Sequence, residues 1–129
     1  MAMNLNELSS SIIGACIQVH RELGPGLLES AYEECLCYEL SRRNLHFTRQ
    51  QPLPIKYKGI SLDCAYQMDV VVENLIILEL KSVGKLLPIH EAQLLTYLKL
   101  SGISLGLLLN FNVTTMKEGI RRIVNRYAE

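Results

Sequence analysis

The sequence predicts an α/β domain, a mixed β-sheet flanked by helices. Three observations carry this. Apolar residues recur at intervals of three and four from Leu5 to Arg43, the period falls to two between His46 and Lys81, and a helical segment, a short apolar run and a second helical segment follow. Helices laid on a sheet bury the apolar side of both.

The first helix follows from Leu5, Leu8, Ile12, Cys16, Val19 and Leu23, with Asn4 and Glu7 spaced as an N-terminal capping box and Gly24-Pro25-Gly26 as its stop. A second helix runs from about Leu28 to Arg43, its apolar side carried by Ala31, Tyr32, Cys35, Leu36 and Leu40, and Asn44 is a left-handed terminator. Phe47 to Gln51 and Ile55 to Lys58 make short strands around Pro52 and Pro54, with a turn at Lys58-Gly59. In the next strand Leu62, Cys64, Tyr66, Met68, Val70 and Val72 face one way, while Asp63, Ala65, Gln67, Asp69 and Val71 face the other. The chain turns at Glu73-Asn74 and returns as Leu75 to Lys81. Both faces of this hairpin are mostly apolar, which places it in the sheet interior. Pro88 suits the first turn of a third helix that runs to about Ser101 and ends at Gly102, and Leu105 to Phe111 is a buried strand. Thr115 and Glu118 then cap a last helix with the stripe Met116, Ile120, Ile123, Val124 and Tyr127.

A chain of 129 residues, 49% hydrophobic and 20% charged, buries roughly two thirds of its unfolded surface, so residues 1–129 read as one domain with its own core. No basic segment followed by an apolar run opens the chain, and no apolar stretch approaches roughly 20 residues, so a cytoplasmic protein with no membrane partner is expected. Cys16, Cys35, Cys37 and Cys64 form no C-x-x-C pair and sit in apolar patterns, as buried reduced thiols do. The 13 Lys and Arg balance the 13 Asp and Glu. Nucleic-acid binding by electrostatics alone usually needs a basic domain, so such a partner would be held through a local patch, a metal or another subunit. A homodimer or a protein partner is one way to supply that surface.

Three charged residues stand where the pattern calls for apolar ones: Asp69 in one strand and Glu79 and Lys81 in the next. Buried alone, each would cost several kcal/mol, so they need one another, a metal or a water-filled cleft. Two carboxylates and an ammonium at a sheet edge suit a hard divalent cation and an activated water; they also suit a satisfied ion triad, or exposure at strand ends.

Asp69 followed by Glu79-Leu80-Lys81 on the adjacent strand resembles the PD-(D/E)XK nuclease superfamily, whose restriction-endonuclease-like core runs helix, three strands, helix, strand. Gly26-Leu27-Leu28-Glu29-Ser30-Ala31-Tyr32 is similar to the G-x-x-E-x-x-Y signature of the small bacterial GxxExxY proteins, and Gln93 with Tyr97 to the Q-x-x-x-Y helix of RecB-like and Cas4-like members. The resemblance spans roughly Leu8 to Tyr127, and Met68 stands where the superfamily's name has proline. It implies Asp69 and Glu79 as metal ligands and Lys81 as the group that orients the attacking water. Glu29 is implied as an additional ligand, with Glu33 one turn away as a substitute, and Gln93 as a hydrogen-bond donor beside Tyr97 on the same helix face. The implied function is a metal-dependent nuclease that hydrolyses phosphodiester bonds, with Mg²⁺ or Mn²⁺ as cofactor and nucleic acid, DNA above all, as substrate. The alternative is a nuclease-fold domain that binds nucleic acid or a protein partner without catalysis; an interaction domain with a structural triad is a third reading.

Lys117, Arg121, Arg122 and Arg126 on the last helix are the candidate grip on a nucleic-acid backbone, or else a solvated face on which Glu118 pairs with Arg122. Arg42, Arg43 and Arg49 form a looser cluster. The histidines fit structural positions: His20 ends a helix, His46 opens a strand and His90 caps or flanks the third helix, one turn before Gln93.

The metal site imposes a register. A two-residue turn at Glu73-Asn74 would oppose Asp69 to Leu78 and send Asp69 and Glu79 to opposite faces. A shared metal requires one more residue in the connection, as a three-residue loop Glu73-Asn74-Leu75 or a bulge, with Cys64, Tyr66, Met68, Val70, Leu78 and Leu80 filling the other face.

Overall fold

The computed structural model describes residues 4–62 and 66–125. Helix α1 (Leu5–Leu23) starts where the Asn4 side chain accepts the Asn6 and Glu7 amides at 2.7 and 3.4 Å, and Gly24, at φ 68°, ends it. Helix α2 (Glu29–Arg42) is closed by Asn44 at φ 60°. Strand β1 (Phe47–Pro52) leads into a separate hairpin of β2 (Ile55–Tyr57) and β3 (Ile60–Leu62), and β4 (Gln67–Val72) with β5 (Ile76–Lys81) forms the hairpin at the sheet's centre. Helix α3 (Pro88–Ser101) crosses over to β6 (Leu105–Asn110), and a short 3₁₀ turn (Met116–Gly119) leads into β7 (Ile120–Val124).

The five-stranded sheet has the order β1-β4-β5-β6-β7, with β5 and β6 parallel around the α3 crossover and the other neighbours antiparallel. On one face α1 and α2 bury Leu8, Ile12, Cys16, Tyr32, Leu36 and Leu40 against Val70, Val72, Leu78, Leu80, Leu107 and Leu109. On the other, Leu94, Tyr97 and Leu98 of α3 cover Met68, Val71, Ile77 and Leu108. A hairpin apolar on both faces thus sits between two helical layers, as its pattern requires. Among the described residues no helix is long and apolar enough to cross a membrane.

Two elements correct the sequence reading. The expected last helix is the 3₁₀ turn followed by strand β7. Thr115 and Glu118 do bond, at 3.0 Å between side chains, but they close only this turn. Gly119 follows, so close to the Asn110 carbonyl that an added Cβ would lie 1.9 Å from its oxygen. The segment Ile120-Arg121-Arg122-Ile123-Val124 then gains more by completing the sheet beside β6 than by helical turns that β-branched residues disfavour. The single strand expected from Leu62 to Val72 is two, because Ile60–Leu62 pairs back onto Ile55–Tyr57 through the turn at Lys58 and Gly59 (φ 49° and 83°). Cys64 and Asp63 lie outside the described residues, as do Arg126 and Tyr127. Cys16, Cys35 and Cys37 are free thiols, and burial pushes Cys16 up to about 12 and Cys37 to about 11.

Candidate active site

The β4–β5 connection sets the site. Glu73 and Asn74 occupy a turn with φ 53° and 56°, closed by the Leu75 amide donating to the Val72 carbonyl at 2.9 Å. Leu75 is then the extra residue, and the ladder runs Val72–Ile76, Val71–Ile77, Val70–Leu78. That register brings Asp69 level with Glu79, as a shared metal requires.

At this level the ladder gives way to side chains. The Asp69 amide donates to Glu79 Oε2 at 2.9 Å, and the Leu80 amide donates to Asp69 Oδ2 at 2.9 Å. On the other side of β4, the pairing with β1 skips from Arg49–Val70 to Gln51–Met68, and Gln50 sits at φ 50°. Strand alternation breaks at the same place, since Val70 packs under α1 and α2 whereas Met68, two residues away, packs under α3 with Val71. A regular strand would put 68 and 70 on one face; the local break turns Asp69 toward α2. Met68 therefore leaves the face the sequence reading gave it, and Tyr66 is exposed; Val70, Leu78 and Leu80 keep theirs.

Asp69 lines a cleft of about 550 Å³ together with Leu27, Leu28, Glu29, Ser30, Glu33, Gln50, Leu80 and Ser82. The motif residues Gly26 to Tyr32 build its wall. Gly26 takes φ 99°, open to glycine and strained for other residues. Tyr32 is fully buried, stacks on Phe111 at 4.6 Å, donates its hydroxyl to the Gly24 carbonyl at 2.6 Å and accepts the Leu27 amide at 3.1 Å. Ser82, just past Lys81, ties this loop to the end of β5: its hydroxyl donates to the Leu27 carbonyl at 2.6 Å and its amide to Glu29 Oε2 at 3.2 Å.

The two helix carboxylates differ in what they already hold. Glu33 is buried and accepts Arg49 Nε at 3.0 Å and the Gln50 side-chain Nε2 at 2.8 Å, and Arg49 also binds Glu34 at 2.8 Å. Glu29 is exposed at the cleft mouth, with one backbone bond. Gln50 reaches on toward Asp69 Oδ1 at 3.5 Å. The sequence reading did not single out Gln50 or Ser82; only the positive φ and the third dimension bring them in. Arg49, counted there among the loose basic residues, is spent on Glu34 and Glu33, whose hydrogen bonds hold its pKa up, while Arg49 pulls that of Glu34 down.

Electrostatics mark the same cluster. Burial above all, then the charge of Asp69, pushes Glu79 up to about 8, with Glu29 adding to the rise while the Asp69 amide and Lys81 oppose it. Burial also raises Asp69, helped by Glu33 and opposed by the Leu80 amide, Lys81 and Gln50. Lys81, on the same face of β5 as Glu79, makes no ion pair within 4.0 Å among the described residues. Among those residues no group of three or more Asp, Glu, His or Cys side chains converges on one point as a preformed metal cage.

The remaining candidates are dispersed. Gln93 donates to the Tyr97 hydroxyl at 3.0 Å, as their spacing predicts, but Tyr97 is buried under the sheet, its pKa raised first by burial and then by Glu79. Tyr97 is thus part of the core under α3 and offers no exposed ring to nucleic acid. Because β7 is a strand, Arg121 and Arg122 point to opposite faces: Arg122 toward Ser9 of α1 at 3.4 Å, Arg121 in the row Glu79–Leu108–Arg121, about 10 Å from Glu79. Lys117 borders an apolar recess with Ile13, Ile17 and Ile120. These three do not form the common basic face expected of a helix, and the Glu118–Arg122 pairing is replaced by separate partners. His20 binds the Val113 carbonyl, His46 binds Glu73, and His90 Nδ1 accepts the Leu87 amide at the start of α3.

A family model described as the PD-(D/E)XK nuclease superfamily matches residues 6–123. No curated protein and no solved structure matches the chain significantly. The family match covers nearly the whole sequence and includes both strands of the acidic hairpin, so the chain belongs to the PD-(D/E)XK nuclease superfamily.

Proposed function

We propose that the chain is a divalent-metal-dependent nuclease, of the GxxExxY and RecB- or Cas4-like kind, acting on nucleic-acid phosphodiester bonds. The observation that carries the reading is the interlocked pair Asp69 and Glu79, each raised by burial and each bound through one oxygen to the other strand's backbone. Glu79 Oε1 and Asp69 Oδ1, the latter met by Gln50 Nε2 no closer than 3.5 Å, are the oxygens to offer a cation, with Glu29 nearby as a third carboxylate. Burial and mutual repulsion disfavour the ionised pair; a divalent cation would relieve both, so the donor set fits one. When bound, such an ion supplies positive charge for the phosphate and lowers the pKa of water.

The chain's own residues do the rest. Backbone amides of Asp69 and Leu80 hold the two carboxylates in register. Gln50 steadies Asp69 and Glu33, and the Ser82 bonds keep Glu29 at the cleft mouth. Lys81, without an ion pair among the described residues, stands on the face of β5 that carries Glu79, and its ammonium is suited to orient the attacking water and to offset phosphate charge. The test is calorimetric titration with Mg²⁺ or Mn²⁺, alongside cleavage assays, on the native chain and Asp69→Ala. Heat and cleavage in the first and neither in the second support the reading. Absent heat and cleavage in both would leave a nuclease fold that binds without cutting.

A further inference from the structure

The β2–β3 hairpin stands apart from both cores. Its register, Ile55–Leu62, Lys56–Ser61 and Tyr57–Ile60, puts Ile55, Tyr57, Ile60 and Leu62 on one face and Lys56 with Ser61 on the other. None of these residues joins the two core clusters, and Tyr57 is 59% exposed and Ile60 62%. A two-stranded hairpin is marginal by itself, so an uncovered aromatic and aliphatic face calls for something to lie on it.

Its position says what. Pro52 pairs with Gln67 and the Leu53 amide donates to the Tyr66 carbonyl at 2.9 Å, so the hairpin springs from the end of the β1–β4 ladder that holds Gln50 and Asp69. Its root is three residues from Asp69, about 10 Å along the strand. The cleft itself is acidic, lined by Glu29, Glu33 and Asp69, and the nearby guanidinium of Arg49 is already paired. From Leu53 to Leu62 the chain carries Lys56 and Lys58 and no carboxylate, and Lys58 Nζ lies 5.4 Å from the centre of the Tyr57 ring. An exposed tyrosine on an arm that springs from the strand end beside an acidic cleft, with the Lys58 ammonium over one side of its ring and Lys56 on the arm's opposite face, matches an unpaired base stacked on the ring's other side with the phosphates before and after it on the two lysines. A base held in a duplex cannot present its face in this way.

We infer that the β2–β3 hairpin is a binding arm for single-stranded nucleic acid, with Tyr57 as stacking platform and Lys56 and Lys58 as phosphate contacts. The inference deepens the nucleic-acid part of the function proposed above and names unpaired strand as the substrate class. The test is fluorescence anisotropy of a labelled oligothymidylate, and of a blunt duplex, with the full chain in EDTA. Tyr57→Ala should weaken single-strand binding by about 5- to 100-fold, and Tyr57→Phe should stay within about twofold of native. Lys56→Ala with Lys58→Ala should flatten the slope of log K against log salt by about 1.4. Thermal melts should be unmoved, because the hairpin supports neither core. Native binding by Tyr57→Ala, an equal loss on the duplex, or a dimer dissolved by Tyr57→Ala would each overturn the inference, the last by assigning the face to a second copy. Cleavage with Mg²⁺ or Mn²⁺ is read separately. Tyr57-dependent binding without cleavage keeps the arm and removes the nuclease, whereas cleavage with native binding in Tyr57→Ala removes the arm alone.

Discussion

Glu79→Gln should stabilise the metal-free protein at alkaline pH while abolishing its function. Glu79 is 5% exposed, and its pKa rises from 4.5 to about 8 because burial and the neighbouring Asp69 charge disfavour its ionised form. Between those values the folded state keeps a proton that the unfolded chain has released. Stability is therefore full below about pH 4.5 and falls as pH rises to about 8. At about 1.36 kcal/mol per unit the loss is at most about 5 kcal/mol, and relaxation of the site trims it to about 2–4 kcal/mol, a large part of a typical folding free energy. Glutamine keeps the shape and an oxygen for the Asp69 amide but cannot ionise. The assay is urea denaturation of both proteins at pH 5 and pH 9, taking their difference so that other carboxylates cancel. The two should match near pH 5, with the variant more stable by about 2–4 kcal/mol at pH 9. Saturating Mg²⁺ should close the gap by stabilising only the native chain. A difference independent of pH, in either direction, would refute the argument that Glu79 is held protonated by its surroundings.

Nuclease activity should fall by well over tenfold in Asp69→Ala and in Lys81→Ala, as measured by gel cleavage with Mg²⁺ or Mn²⁺, because ligand and water-orienting groups act as a unit. Tyr32→Phe should lower stability by about 1–3 kcal/mol in thermal melts, since it leaves the Gly24 carbonyl and the Leu27 amide without their shared hydroxyl. Deleting Leu75 should unfold the chain, as judged by near-ultraviolet circular dichroism, because a two-residue connection drives Glu79 and Lys81 into the layer under α1 and α2. Gly119→Ala should cost several kcal/mol, since its Cβ would meet the Asn110 carbonyl at 1.9 Å with only backbone to yield.

Where one physical rule dominated, the sequence was legible. The first helix carries a long apolar period, and Asn4, Gly24, Pro88 and Gly102 punctuate the first and third, each of which begins and ends where those residues place it. The β4–β5 register was legible too, because two charges on strands apolar on both faces leave few ways to pair. The C-terminal strand was not. Met116, Ile120, Ile123 and Val124 satisfy a helical stripe on paper, yet only the open edge of β6, formed by residues before them, decides in favour of pairing. The basic patch failed with it, since Arg121 and Arg122 share a helical surface but oppose each other across a strand.

The site shows a different kind of gap. Asp69, Glu79 and Lys81 are conspicuous as charges in an apolar pattern, but the pattern alone sends Asp69 to the α3 face with Val71. It reaches the α2 cleft because alternation fails between Met68 and Val70, where Gln50 takes a positive φ opposite. Nothing in a glutamine announces that conformation. The G-x-x-E-x-x-Y motif is then explained by joinery: Gly26 makes the turn, Tyr32 anchors it to Phe111 and Gly24, and Ser82 locks it to the strand that carries Glu79 and Lys81. Only Glu29 of the motif faces the cleft with charge to offer. Glu29 opens α2 directly after that loop and accepts the Ser82 amide, so a carboxylate from α2 stands at the mouth of the cleft that Asp69 lines by construction of the fold.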